Sequence, residues 1–179
     1  LFKSPLHGEY NLVNIAAAIS FGLLFDVPIK FIQKSILDYQ SKNNRSQKLM
    51  INKTQFIMDA YNANPTSMEA ALNAYEGCKF LKKLVVLGDM FELGSQSMEE
   101  HDNILKLCLK LNIDKICTIG LNFKKTSIDN KSIYKYENLK SFIQKFDDKS
   151  SIFNGVLIKG SRAMQLENLI PFFKKLWDT

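Results

Sequence analysis

The chain has 179 residues, of which 46% are hydrophobic and 23% are charged. This composition is typical of one globular domain, or of one domain with part of another, and it excludes a disordered chain. The formal net charge of +6 is compatible, taken alone, with a nucleic-acid-binding protein. The first residues read as the interior of a protein rather than a signal peptide, and no start methionine is present, so we expect a fragment.

The basic residues are scattered lysines, with only two arginines in the chain, and no basic run alternates with aromatic residues. We therefore expect no nucleic-acid binding. No apolar stretch reaches the roughly 18 residues needed to cross a bilayer, so no membrane insertion is expected. The cysteines form no C-x-x-C pair, and His7 lies far from His101, so no metal site is predicted. His101 has acidic neighbours, and we expect it to be solvated.

Two helices and a hairpin are predicted first in chain order. Residues 11–25 form an alanine-rich apolar segment, and residues 29–39 place apolar side chains on one helical face. The polar residues 41–44 are the best linker candidate. Residues 47–51 and 55–59 flank an Asn-Lys pair, which predicts a β-hairpin.

After the hairpin, strands and helices alternate. Strands are predicted at 84–87, 115–119, 132–136 and 156–158. The predicted helices begin at the capping box Thr66-x-x-Glu69, at the capping box Ser97-x-x-Glu100, near residue 139 and near residue 166. Because parallel strands need helical crossovers, this alternation predicts an α/β fold with a mostly parallel sheet and flanking helices.

Three loops at predicted strand ends are rich in polar and small residues: 59–64, 88–90 and 159–162. Ligands of such sheets bind beyond the carboxyl ends of the strands. A carboxylate there can accept two ribose hydroxyl hydrogen bonds, and a following helix N-terminus favours an anion. Asn and Asp also form ordinary turns and caps. In a lysine-rich chain, Arg45 and Arg162 are candidates for a bidentate grip on phosphate or carboxylate, with ordinary surface positions as the alternative.

Five motifs in register resemble those of the Mur ligase family. Residues 59–68 (Asp-Ala-Tyr-Asn-Ala-Asn-Pro-Thr-Ser-Met) carry the most specific one, and residues 8–17, 43–47, 87–94 and 159–162 carry the others. The resemblance covers nearly the whole chain. It is strongest to the members that add D-alanyl-D-alanine to a UDP-N-acetylmuramoyl-tripeptide. Tyr10 stands where the family often has His, so the role of Tyr10 stays open.

The resemblance implies a nucleotide site in this chain. Asn11 and Asn14 would meet the adenine, Arg45 would approach the phosphates, and Asp59 would approach the ribose. The asparagines of the same strand-end loop, Asn62 and Asn64, are implied to bind ATP as well.

The resemblance also implies a site for the incoming dipeptide. Asp89, Lys159, Ser161 and Arg162 would face D-alanyl-D-alanine, with the last three as candidates for binding its carboxylate.

The implied organisation is a short helical tail of the central ATPase domain, residues 1–44, followed by a Rossmann-like C-terminal domain, residues 45–179. No G-x-x-x-x-G-K-[ST] occurs, so the P-loop, the modified lysine and the ligands of Mg²⁺ are expected upstream. The chain alone is expected to be inactive. The implied full-length enzyme is a cytoplasmic, bacterial, monomeric ligase that uses ATP. The alternatives are a sister ligase that adds another amino acid and a non-catalytic nucleotide-binding module.

Overall fold

A computed structural model describes residues 1–6, 10–41, 44–146 and 153–177, without the side chain of Tyr10. The chain divides into two compact units, Leu1–Lys42 and Asn43–Thr179.

The first unit contains two helices, α1 (Tyr10–Leu24) and α2 (Ile29–Leu37). Gly22 of α1 lies so close to Ile32 that an added Cβ would stand 2.8 Å from its Cδ1. Ile32 and Ile36 are buried, whereas many other large apolar side chains of the unit are exposed. Both helices confirm the sequence prediction.

The second unit is built on one six-stranded sheet. Its strands are β1 (Gln47–Ile51), β2 (Thr54–Asp59), β3 (Lys83–Gly88), β4 (Lys115–Ile119), β5 (Ile133–Tyr136) and β6 (Gly155–Lys159). Their order across the sheet is β1-β2-β6-β3-β4-β5. The β1–β2 hairpin is antiparallel, and all other neighbours are parallel. The predicted α/β class, with a mostly parallel sheet, is confirmed.

Helices cover both faces of the sheet. They are α3 (Pro65–Glu76), α4 (Ser97–Lys110), α5 (Leu121–Lys125), α6 (Leu139–Lys145) and α7 (Leu169–Trp177). Alternate residues of each strand point to opposite faces. Leu84 and Val86 of β3 therefore join the core under α6 and α7, while Val85 and Leu87 join the core under α3, α4 and α5.

The predicted helix starts need correction. Helix α3 is capped by Asn64, whose side chain accepts from the backbone N–H of Ser67 at 2.8 Å, and not by the Thr66–Glu69 box. Pro65 has the backbone angle that suits the first helical position, so the helix begins earlier than predicted. Helix α4 has no side-chain cap hydrogen bond, so the predicted Ser97–Glu100 box is also wrong.

Two elements near the sheet differ from the prediction as well. Leu166 lies in a 3-10 turn before α7 rather than within that helix. The five-residue helix α5 follows β4, where the sequence pattern predicts no element.

Candidate functional site

The carboxyl ends of β2, β6, β3 and β4 meet at one edge of the sheet. Asp59 at the end of β2 is the register partner of Lys159 at the end of β6. Lys159 is in turn the register partner of Leu87 in β3, and Gly88 is that of Ile119 in β4. The three polar loops singled out in the sequence therefore lie side by side.

Asp59 and Lys159 form a partly buried ion pair. The Nζ of Lys159 lies 2.7 Å from Oδ2 of Asp59, and the two side chains are 3% and 17% exposed, in that order. The same Nζ donates to the carbonyl oxygen of Asn62 at 3.2 Å. The backbone N–H of Ser46 donates to the other oxygen of Asp59 at 2.9 Å. The pair thus connects Ser46, the end of β2 and the end of β6.

Arg45 packs its guanidinium over the ring of Tyr61, with Cζ 3.8 Å from the ring centroid. A guanidinium at this distance over a ring is attracted to the ring's π-system, which favours this position of the Arg45 side chain. Ser46, the residue after Arg45, is the one bonded to Asp59. The geometry therefore puts a cation, an aromatic ring and a carboxylate at the end of one strand.

The two loop asparagines have different partners. The side chain of Asn62 accepts from the backbone N–H of Ala63 at 2.9 Å, and the residue is exposed. Asn64 uses its side-chain oxygen to cap α3. Asn64 therefore has a local structural role in the described structure.

Asp89 points into the protein. Its carboxylate accepts from the backbone N–H groups of Asn122 and Phe123, each at 2.9 Å, at the start of α5. Gly120 has a φ of +131°, and a Cβ added there would stand 2.2 Å from the Cγ of Asp89. Asp89 thus fixes the loop after β3 (the β3 loop, residues 88–90) against α5, and its described contacts are within the protein.

His101 is fully buried, so its predicted solvated position is wrong. Its Nε2 lies 3.0 Å from the backbone nitrogen of Met90, and its Nδ1 lies 2.6 Å from the carbonyl oxygen of Ser97. The sequence did contain a signal. His101, Ile104, Leu105 and Cys108 are spaced three and four residues apart on the buried face of α4. The acidic neighbours concealed that spacing.

Ser161 and Arg162 follow β6. Ser161 donates its backbone N–H to the carbonyl oxygen of Asp89 at 3.2 Å, and its Oγ accepts from the N–H of Phe91 at 3.3 Å. The side chain of Arg162 is 59% exposed, with one guanidinium nitrogen 3.2 Å from Glu167. Of the predicted dipeptide-binding cations, Arg162 is exposed and Lys159 is buried.

Asn11 and Asn14 belong to the first unit. The side-chain amide of Asn14 donates to Oδ1 of Asn11 at 3.4 Å, and Asn11 is buried. The described residues do not include His7, nor Gly8 and Glu9 of the motif that contains Asn11 and Asn14. They also do not include Asn43 of the motif at residues 43–47.

The sequence profile of the Mur ligase, glutamate ligase domain matches residues 44–162. This chain belongs to the Mur ligase family. A relative from Treponema pallidum, named UDP-N-acetylmuramoyl-tripeptide–D-alanyl-D-alanine ligase, is 32% identical over 97% of this chain and 39% of its own length. A relative of the same name from Bacillus subtilis is 29% identical over 94% of this chain. The chain spans about two fifths of the length of these relatives.

Solved structures of the family share the fold. A structure of MurF from Acinetobacter baumannii has a TM-score of 0.87 and 26% identity, and the match covers 97% of this chain and 40% of that one. MurF ligase from Thermotoga maritima, solved in complex with ADP, has a TM-score of 0.77 at 22% identity over 94% of this chain and 39% of that one, which shows the fold alone.

The described part of this Mur ligase domain contains no group of three or more His, Cys, Asp or Glu side chains that could hold a metal ion. Among the residues whose structure is described, no helix is long and apolar enough to cross a membrane.

Proposed function

We propose that this chain is the C-terminal part of an ATP-dependent ligase that joins D-alanyl-D-alanine to UDP-N-acetylmuramoyl-tripeptide. Residues 1–44 would be the tail of the central ATPase domain, and residues 45–179 the C-terminal domain. The observation that carries the proposal is the Asp59–Lys159 pair with Ser46 and the Arg45–Tyr61 stack. It joins the motif of residues 43–47 to the loops of residues 59–64 and 159–162 at one edge of the sheet.

The proposed reaction has two steps. The terminal carboxylate of the tripeptide attacks the γ-phosphorus of ATP, giving an acyl phosphate and ADP. The amine of D-alanyl-D-alanine then attacks the acyl carbon, an amide forms, and inorganic phosphate leaves with one former carboxylate oxygen. The chain contributes by binding and orienting its ligands, which is a proximity effect.

The nucleotide would lie against the end of β2. Oδ1 of Asp59 accepts from both the N–H and the hydroxyl of Ser46, and Oδ2 accepts from Lys159. Because a carboxylate offers about four acceptor positions in all, Asp59 can still accept from a ribose hydroxyl. Arg45 would meet the phosphates from its stacked position over Tyr61. Asn11 and Asn14 would meet the adenine, with Asn62 and Asn64 contributing from the loop of residues 59–64.

The dipeptide would lie against the ends of β3 and β6. The exposed guanidinium of Arg162 suits its carboxylate, and the Ser161 hydroxyl hydrogen can serve as a donor. Lys159 uses two of its three N–H donors on Asp59 and Asn62, so it retains one for the ligand. Asp89 would act indirectly, by fixing the β3 loop.

Magnesium would be held by the central ATPase domain of the full-length enzyme, as the family resemblance implies. We also propose a bacterial, cytoplasmic location and a monomeric full-length enzyme, which follow from the same family resemblance.

The test is the choice of amine by the full-length protein that carries this chain. ADP release should require the tripeptide precursor and D-alanyl-D-alanine together. ADP release with a single amino acid instead would identify a sister ligase. Nucleotide binding without release in either case would identify a non-catalytic module. The chain alone should release no ADP.

A further inference from the structure

Two hydrogen bonds fix the tautomer of the His101 imidazole. Its Nδ1 lies 2.6 Å from the carbonyl oxygen of Ser97, which can only accept, so Nδ1 carries the hydrogen. Its Nε2 faces the N–H of Met90 at 3.0 Å and must therefore be the acceptor. The ring thus bridges the first turn of α4 and the loop after β3.

The surroundings of the ring support this assignment. Oδ1 of Asp89 lies 3.8 Å from Nε2, beyond hydrogen-bond distance, and its carboxylate is bonded to the N–H groups that begin α5. The ring of Phe123 meets the imidazole edge-on, with centroids 4.5 Å apart. The interaction of His101 with the loop is therefore made through Met90.

Met90 stands between two residues that bond to Ser161. The carbonyl oxygen of Asp89 accepts from the N–H of Ser161, and the N–H of Phe91 donates to the Ser161 Oγ. A shift of the Met90 backbone would move both neighbours. Hydrogen bonds and the backbone of residues 89–91 thereby connect His101 to Ser161.

We propose that His101 is a positioning residue for the D-alanyl-D-alanine site. Its Nε2 accepts a hydrogen bond from the Met90 N–H and so holds the loop of residues 89–91 in place. The loop in turn orients the Ser161 hydroxyl toward the dipeptide. This inference rests on the proposed function, and it adds a residue that the motifs did not include.

Two substitutions separate the two hydrogen bonds of the ring. His101→Gln can place an amide oxygen near the position of Nε2 and so keep an acceptor for Met90. His101→Asn can place an amide N–H near the position of Nδ1, which keeps the bond to Ser97 and loses that to Met90. Both variants leave a polar, uncharged side chain in the same pocket, so each is the control for the other.

In the full-length protein, His101→Asn should raise KM for D-alanyl-D-alanine about tenfold, the factor that corresponds to roughly one lost hydrogen bond. In His101→Asn, KM for ATP and kcat should stay within about twofold of the values of the unsubstituted protein. In His101→Gln, KM for D-alanyl-D-alanine should also stay close to its unsubstituted value. A merely structural role would move all parameters together in both variants.

Amide hydrogen exchange on the unsubstituted chain tests the contact directly. Met90 should be among the slowly exchanging amides, and its protection should fall in His101→Asn but not in His101→Gln. Fast exchange of Met90 in the unsubstituted chain would overturn the inference, as would equal kinetics of the two variants. If the unsubstituted full-length protein forms no amide, the proposed function itself fails, and the inference falls with it.

Discussion

The Nζ of Lys159 lies 2.7 Å from Oδ2 of Asp59, and the two residues are register partners at the ends of neighbouring parallel strands. The two side chains are mostly shielded from water, so each charge depends on the other for compensation. The pair is therefore both a structural contact and the base of the proposed nucleotide site.

Removing one charge of this pair should be more costly than removing both. We expect Asp59→Asn to lower the free energy of unfolding by about 3 kcal/mol, because it leaves the Lys159 ammonium buried without its counter-charge. Lys159→Met should lower the free energy of unfolding by less than Asp59→Asn does. Asp59 would keep its hydrogen bond from the Ser46 N–H, and it is the more exposed partner. Urea unfolding of the unsubstituted chain, both single variants and the double variant gives the interaction free energy between the two side chains. Strictly additive effects would show that the pair has no stabilising interaction.

This pair illustrates what the sequence could and could not predict. The strands were predictable because each is a short apolar run that ends at a polar loop. The contact of Asp59 with Lys159 was not, because it depends on β6 lying beside β2, and strand order is set by the packing of the whole sheet. The family motifs include both residues, but they imply a role at the ribose for Asp59 and a role at the dipeptide for Lys159.

Two features near the β3 loop were not predicted correctly, the helix α5 and the burial of His101, and both involve contacts between residues distant in sequence. Helix α5 is only five residues long, and its first N–H groups are capped by Asp89, which comes from another strand. His101 lies on the buried face of α4 and accepts a hydrogen bond from Met90 of the same loop. The spacing of residues along α4 indicates that His101 is buried, but local periodicity predicts neither its contact with Met90 nor that of Asp89 with α5.

Gly120 should tolerate no side chain. In Gly120→Ala the new Cβ would overlap the Asp89 carboxylate in a backbone conformation that L residues rarely adopt. We expect a loss of about 3–5 kcal/mol in the free energy of unfolding from strain and overpacking together. Gly94→Ala is the matched control, since Gly94 also has a positive φ but no atom within 4 Å of an added Cβ. That control should cost only about 1–2 kcal/mol. Equal losses in thermal or urea unfolding would refute the close approach to Asp89.

Arg162 should not be replaceable by lysine. Its planar guanidinium can grip a carboxylate with two parallel hydrogen bonds, and an ammonium cannot. In the full-length protein we expect Arg162→Lys to weaken use of D-alanyl-D-alanine by about 1.5–3 kcal/mol, seen mainly as a higher KM for the dipeptide. Glu167→Gln, which alters the described partner of Arg162, should not raise that KM. Full activity of Arg162→Lys would disprove the grip, and a defect confined to ATP would assign Arg162 to the nucleotide.

Asp114 should make stability depend on pH in the acid range. Burial alone would raise the pKa of its carboxyl, but hydrogen bonds from the Lys83 N–H and the Lys82 ammonium outweigh burial and lower the pKa. Because the unfolded state then binds the proton more readily, the stabilisation is complete above the unfolded pKa, about 3.9. It is lost as pH falls through the lower folded value.

The measurement is the difference in unfolding free energy between the unsubstituted chain and Asp114→Asn as a function of pH. This difference should be constant above about pH 5 and shrink below it. Asp129→Asn is the control, because Asp129 is an exposed partner of Lys135 and such pairs contribute little. A difference for Asp114→Asn that does not change between pH 6 and pH 2 would contradict the lowered pKa.

The central proposal is tested most directly by following oxygen in the full-length protein that carries this chain. The tripeptide precursor is labelled with ¹⁸O in its terminal carboxylate and incubated with ATP, magnesium and D-alanyl-D-alanine. We predict one amide for each ADP, with one labelled oxygen in each inorganic phosphate released. Absence of the amide, or an amide formed without label in the phosphate, would contradict ligation through an acyl phosphate.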